Sequence, residues 1–172
     1  MTPSRKIEKA LCADVLTVAN IPELSLLQRG SVLNVYPGLN YETKHLPRMQ
    51  VAMPDVSPAP GFEGVPDARE YVGDLYIAVL SDAQRADDAV CDAYDGLIGA
   101  VQALFEGSRS DISLAGLLNY PESGPDERTV KELYIYQARF EGESQDHLER
   151  GVWQVLLHYQ VEFTVHDGQP AE

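Results

Sequence analysis

The sequence predicts an α+β fold, in which a mostly antiparallel sheet of about five strands carries two helices packed on one face. The clearest sign of a sheet is residues 152–166, where apolar and polar side chains alternate as on a half-buried strand. The helices are predicted by residues 4–20 and 83–106, in which apolar residues recur every three or four positions. A chain of 172 residues is long enough for one substantial core, so residues 1–172 are expected to form a single domain.

The N-terminal part of the chain is predicted to contain the first helix and the first two strands. Thr2 or Ser4 can cap the helix predicted at residues 4–20. Its buried stripe is expected to comprise Ile7, Leu11, Val15 and Val18. Residues 32–36 form a short apolar run and residues 48–53 alternate between apolar and polar side chains, so both segments are predicted strands.

The middle of the chain is predicted to contain a loop, a central strand and the longer helix. Residues 54–66 are rich in Pro and Gly, which favours a loop. Residues 71–80 are apolar on both faces, as is typical of a strand covered on both sides. The helix predicted at residues 83–106 contains Gly96 and Gly99, although Gly costs roughly 1 kcal/mol relative to Ala in a helix. We therefore expect a close approach to the sheet or to a neighbouring molecule at these two glycines.

The C-terminal part is predicted to form a hairpin after an irregular region. Residues 110–119 are predicted to be a short helical turn or an irregular link, and residues 121–126 a polar loop. A fourth strand is predicted at residues 131–140, followed by a polar connection at 141–150 and a frayed tail at 168–172. The apolar face of the last strand is expected to define the core with Trp153, Val155, Leu157, Tyr159, Val161 and Phe163.

The composition limits the classes of function. The formal net charge of −14 argues against a surface that grips nucleic acid, because phosphate binding needs an excess of Lys and Arg. The sequence has neither a signal-peptide pattern nor an apolar run of the ~20 residues that a spanning helix needs, so no membrane partner is expected. Cys12 and Cys91 form no CxxC pair and are expected to be buried thiols in a reducing compartment.

The sequence offers no clear reacting centre. Phosphate-binding glycine loops, a GxSxG serine elbow and an HExxH zinc motif are all absent, and the four histidines share no metal-ligand spacing. Asp88, Asp92 and Asp95 share one face of the long helix and could bind a hard cation, but a hydrated acidic surface explains them better. We therefore predict no catalytic, cofactor-binding or metal-binding residue.

The order of elements and four segments resemble the phage tail terminator family. The segments are residues 7–11 in the first helix, 46–51 in the second strand, 75–80 before the long helix, and 151–156 at the start of the last strand. This family includes the lambda tail protein U, its siphophage relatives and the tail-completion proteins of Mu-like phages. The resemblance spans nearly the whole chain and consists of element order and apolar placement.

The resemblance implies a structural role in a virion rather than catalysis. A tail terminator forms a ring, most often a hexamer, at the head-proximal end of the tail tube. The ring stops tube polymerisation and joins the tail to the head connector. The implied partners are therefore further copies of the chain, the tail tube protein and the head–tail connector or stopper protein, with DNA passing through without specific binding. The protein would be made in the host cytoplasm and reside at the neck of the virion.

A closed ring needs two different surface patches on each copy, and the sequence offers candidates of opposite charge. One patch would comprise Asp88, Asp92 and Asp95 of the long helix. The other would carry Arg48, Arg69 or Arg139. Other functions stay open from the residues alone: a head-completion or connector protein, a small acidic enzyme that uses carboxylates, or an acidic adaptor that binds one partner as a monomer.

Overall fold

The computed structural model describes residues 2–17, 22–29, 32–38, 46–61, 70–81, 88–106, 133–148 and 152–165. Two α-helices, one 3₁₀ helix and seven strands lie within these ranges. In chain order they are α1 (Pro3–Thr17), the 3₁₀ helix (Pro22–Leu27), β1 (Gln28–Arg29), β2 (Val32–Leu33), β3 (Val35–Pro37), β4 (Arg48–Pro58), β5 (Glu70–Ser81), α2 (Asp88–Glu106), β6 (Leu133–Leu148) and β7 (Val152–Val165). The predicted link at 110–119, loop at 121–126 and tail at 168–172 lie outside the described residues.

The main sheet has five strands in the order β3-β4-β5-β7-β6. Three of its four pairings are antiparallel, and only β3 runs parallel to its neighbour β4. Strands β1 and β2 form a separate two-stranded antiparallel ribbon. The predicted α+β fold is therefore confirmed, and β5 is the central strand that its two apolar faces predicted.

Both helices pack on the same face of this sheet, as predicted. Alternate residues of β4, β5 and β7 join the apolar stripes of α1 and α2 in one buried cluster. Its largest fully buried side chains include Tyr159, Phe105, Phe163, Ile7, Leu11, Met49, Met53, Leu75 and Ile77. We call this side of the sheet the helix face and the opposite side the outer face.

Strand β4 extends further than the sequence predicts. Residues 54–58 were expected to begin a loop, but they continue the pairing with β5 as far as Pro58. The register shifts between Ala52 and Asp55, which marks a β-bulge containing Pro54. Because the ladder is interrupted there, the missing N–H of Pro54 costs little and the strand can resume.

Strand β6 also extends further than predicted. The strand was expected to end at residue 140 and a connection to follow, yet β6 pairs with β7 up to Leu148. Its register shifts twice, and Gly142 lies at one of these shifts with a φ of 150°. The described side chains of residues 143–146 are exposed, so this half of the strand lacks the apolar alternation that would reveal it.

Helix α2 agrees with the prediction over residues 88–106, while the predicted start at 83 lies outside the described residues. The expected close approach at Gly96 and Gly99 is wrong within the protomer. A Cβ atom added at either glycine would have nothing within 4 Å, and both residues are exposed. Neither α1 nor α2, the two α-helices that the structure describes, is long and apolar enough to cross a bilayer.

Candidate assembly surfaces

Helix α1 is joined to the sheet by a buried carboxylate next to the bulge of β4. Glu8 accepts a hydrogen bond of 2.9 Å from the backbone N–H of Met53, and it forms an ion pair with Arg5 at 3.2 Å. Burial, reinforced by the nearby Glu8, raises the pKa of the Cys12 thiol to about 12. This end of the helix therefore depends on a specific polar contact as well as on apolar packing.

Helix α2 is joined to β7 by two aromatic side chains. The Trp153 ring meets the Tyr94 ring edge-on, with centroids 6.2 Å apart. The Tyr159 hydroxyl donates a hydrogen bond of 2.7 Å to Glu106. Burial, followed by this hydrogen bond and the charge of Glu106, raises the pKa of Tyr159. These contacts fix the helix over the strand that carries most of the core.

The six side chains expected to define the core from β7 all lie on the helix face. The exposed fraction of Trp153 is 3%. It is 0–1% for the other five, which are Val155, Leu157, Tyr159, Val161 and Phe163. The alternate residues of β7, from Gln154 to Thr164, are only half-buried and lie on the outer face. The two sides of one strand thus have different environments.

The outer face is itself divided into two parts. Near one end, Ala78, Leu80 and Val152 form a small buried cluster with Leu46 and Leu156 packed against it. Towards the other end, the outer face is polar and half-exposed, and it carries Asp74, Tyr76, His158 and Gln160. This polar half is the part of the sheet that is available for contact.

His158 is held in a fixed position on the polar half of the outer face. Its Nε2 lies 2.9 Å from Oδ1 of Asp74, the residue diagonal to it across β5 and β7. Its ring stacks on Tyr76 with centroids 4.6 Å apart and an interplanar angle of 15°. Burial, then the charges of Asp74 and Asp55, raise the pKa of the Tyr76 hydroxyl.

A cleft of about 310 Å³ opens beside this group, at the bulge of β4. Asp55 and Asp74 are direct cross-strand partners at its wall. Ser57 and Gln160 add further polar atoms, while Val56, Val72 and Gly73 complete the lining. We call this feature the acidic cleft. The bulge creates it, because the extra residue in β4 places Asp55 opposite Asp74 and Val56 on the helix face.

Two of the three predicted arginines lie within the described residues, and their environments differ. Arg48 is only 4% exposed, and burial lowers the pKa of its guanidinium. Arg139 lies on the exposed strand β6, where it pairs with Glu141 at 2.7 Å and donates a hydrogen bond to Gln160 at 2.9 Å. Arg69 lies outside the described residues. Of the two described arginines, Arg139 is therefore the one whose side chain is accessible to a partner, and its place at a subunit interface stays a prediction.

The predicted acidic patch lies on the other side of the molecule from Arg139. Asp92 and Asp95 are exposed on α2, which covers the helix face. The backbone of Asp88 begins α2, but its side chain is outside the described part. Arg139 is the cross-strand partner of Gln160 and so lies on the outer face. Among the described residues, no group of three or more His, Cys, Asp or Glu side chains is arranged to hold a metal ion.

Comparisons with known proteins identify the fold but no sequence family. No family model and no curated protein matches the sequence. A chain in the solved virion of a native gene transfer agent particle has a similar structure, with a TM-score of 0.53 and 13% sequence identity. The match covers 95% of this chain and 99% of that chain. A similar fold therefore occurs in a chain of a virion particle.

Proposed function

We propose that this chain is a non-enzymatic structural protein of a virion, and more narrowly a tail terminator. In this role, copies of the chain close into a ring, most simply a hexamer, at the head-proximal end of the tail tube. The ring stops tube polymerisation and joins the tail to the head connector.

The observation that carries the proposal is the similarity to a chain of a gene transfer agent virion over almost the full length of both chains. The match spans 95% of this chain and 99% of the other, so the likeness concerns the whole fold rather than one part of it. The order of elements is also the one that made the sequence resemble tail terminators. The sequence pattern and the backbone geometry therefore both support a virion protein.

The charge of the protein is consistent with a ring through which DNA passes. The chain has 27 acidic and 13 basic residues. An acidic wall repels phosphate within a Debye length, about 8–10 Å at ordinary ionic strength. DNA would then move through the ring without being held.

The test is a capping experiment with purified tail tube protein from the same virus. Tube protein polymerised alone gives a reference distribution of tube lengths by electron microscopy. We expect addition of this chain to shorten the tubes and to leave a ring at one end of each. Tubes of unchanged length without such a ring would contradict the terminator role, and binding to the connector alone would identify a head-completion protein instead.

A further inference from the structure

We propose that the acidic cleft is the docking site for helix α1 of a neighbouring copy of this chain. This inference rests on the proposed ring and specifies which two surfaces meet in it. In this arrangement the main contact between subunits is formed by the acidic cleft and α1 rather than by the acidic face of α2 and an arginine patch.

The acidic cleft has an unfavourable charge arrangement in the isolated protomer. Asp55 and Asp74 are directly opposite on antiparallel strands, and like charges in that position destabilise a sheet. His158 bonds Asp74, and the Asp55 side chain is exposed in the part of the chain that the structure describes. A cationic side chain entering the cleft would neutralise both carboxylates. The volume of about 310 Å³ is at the lower end of the range found for ligand pockets, enough for one long side chain.

Helix α1 presents a complementary surface on the opposite side of the sheet. Ile7, Leu11 and Val15 face the core, so the outward ridge of the helix carries Lys9, Ala13 and Leu16. Lys9 is exposed, and Leu16 is 45% exposed although it is a large apolar residue.

The composition of this ridge suits a protein contact. A lysine supplies the charge, the small Ala13 permits close approach, and Leu16 supplies apolar area at the end of the ridge.

The neighbour is a second copy because of the balance of charge and the placement of the two surfaces. Protomers with a net charge of −14 repel one another unless opposite charges meet locally. The ridge lies on the helix face and the cleft on the outer face. One copy can therefore insert its ridge into the cleft of one neighbour while its own cleft binds the ridge of a second neighbour. Two different patches on each copy are the requirement for a head-to-tail contact that closes into a ring.

The experiment is a charge exchange between the two surfaces. Assembly is measured by native mass spectrometry and sedimentation for the wild type, Asp55→Lys, Lys9→Glu and the double variant, at equal protomer concentration. We expect each single substitution to weaken association roughly tenfold or more, as expected for close charge pairs at an interface. The double variant should recover much of the loss, because the charges are exchanged rather than removed.

Two controls separate docking from general charge and folding effects. Asp146→Lys makes the same change of charge at an exposed residue of β6, about six residues or ~20 Å along the sheet from Asp74, and should assemble like the wild type. Asp55→Asn removes the charge without adding length and should weaken assembly less than Asp55→Lys. Thermal unfolding of Lys9→Glu and Asp146→Lys should match the wild type, because both residues are exposed. Asp55→Lys and Asp55→Asn should unfold at the same or a higher temperature, because they relieve the like charges of Asp55 and Asp74.

The outcomes distinguish this inference from the ring itself. A wild-type chain that stays a protomer, with and without tube protein, would contradict the proposed function. Wild-type rings that tolerate both single substitutions, or a double variant that does not recover, would overturn the docking site alone.

Discussion

Leu156 and Leu157 are adjacent and chemically identical, yet they belong to different regions of the molecule. Leu157 is 1% exposed and lies in the main core beneath the helices, whereas Leu156 is half-buried against a small cluster on the outer face. The contrast applies to the whole sheet. The helix face accounts for most of the buried apolar surface, and the polar half of the outer face holds charged and aromatic side chains in fixed positions with solvent access. One side stabilises the fold, and the other is available for contact.

The adjacent leucines give the largest predicted difference between the two faces. Leu157→Ala should lower the free energy of unfolding by about 2–5 kcal/mol, because it leaves a cavity in the main core. Leu156→Ala should cost clearly less, since part of its surface is already in water. Urea denaturation of both variants measures this difference. Equal losses would contradict the division of the sheet into a stabilising face and a contact face.

Two glycines test the helix face at a finer scale. A Cβ added at Gly73 would lie 2.9 Å from the backbone oxygen of Asp55 and 3.0 Å from Cγ2 of Val56, so Gly73→Ala should destabilise by roughly 1–3 kcal/mol. Gly99→Ala has open space and should stabilise α2 by up to about 1 kcal/mol. Thermal unfolding of the two variants should move in opposite directions. A stabilising Gly73→Ala would show that β4 and β5 are less closely packed than the structure has them.

Alkaline pH provides a test of the core around Cys12. Below about pH 9 the Cys12 thiol is protonated in both the folded and the unfolded chain. Above that pH the thiol ionises first in the unfolded chain, because burial raises its pKa in the folded chain to about 12. Stability should therefore fall as the pH rises from about 9 towards 12, with a contribution from Cys12 of roughly 2 kcal/mol near pH 10.5.

The control for the pH experiment is Cys12→Ala. This variant should lose less stability than the wild type between about pH 8 and 10.5, as measured by urea denaturation at each pH. The residual loss would include Tyr159, whose pKa is raised in the same direction. Parallel curves for the two proteins would show that Cys12 is not shielded from solvent as the structure places it.

The smallest effect on stability is expected on the outer face. Arg139 is 65% exposed, so its ion pair with Glu141 is largely screened and Arg139→Ala should change stability by only about 0–0.5 kcal/mol. Assembly is the second readout for this variant. Weaker assembly with unchanged stability would support the predicted role of Arg139 at a subunit interface, and unchanged assembly would remove it from that surface.

The sequence predicted the strands whose side chains follow a clear pattern, either apolar on one face and polar on the other or apolar on both. Strand β7 was predicted at 152–166 and found at 152–165, and β5 was predicted at 71–80 and found at 70–81. In both strands the side chains indicate burial: apolar and polar residues alternate in β7 except at Leu156, and β5 is apolar on both faces. The apolar stripes of α1 and α2 were visible for the same reason.

The remaining elements depend on partners that the sequence does not reveal. Residues 143–147 of β6 are all polar and are paired through the backbone with β7, so no apolar pattern indicated this part of the strand. The continuation of β4 through Pro58 depends on a bulge at Pro54, a residue that locally indicates a loop. The acidic cleft was missed because Asp55 and Asp74 meet only through that bulge, at a separation of 19 positions in the chain.

The most direct test of the account is the mass of the assembled wild-type protein. Native mass spectrometry of this 19.0 kDa chain, alone and with tail tube protein, would reveal closed assemblies of one copy number. We predict a single ring species, most simply six copies, that electron microscopy also finds at tube ends. A stable protomer under both conditions, with tubes growing as they do without it, would contradict the proposal that this fold serves as a tail terminator.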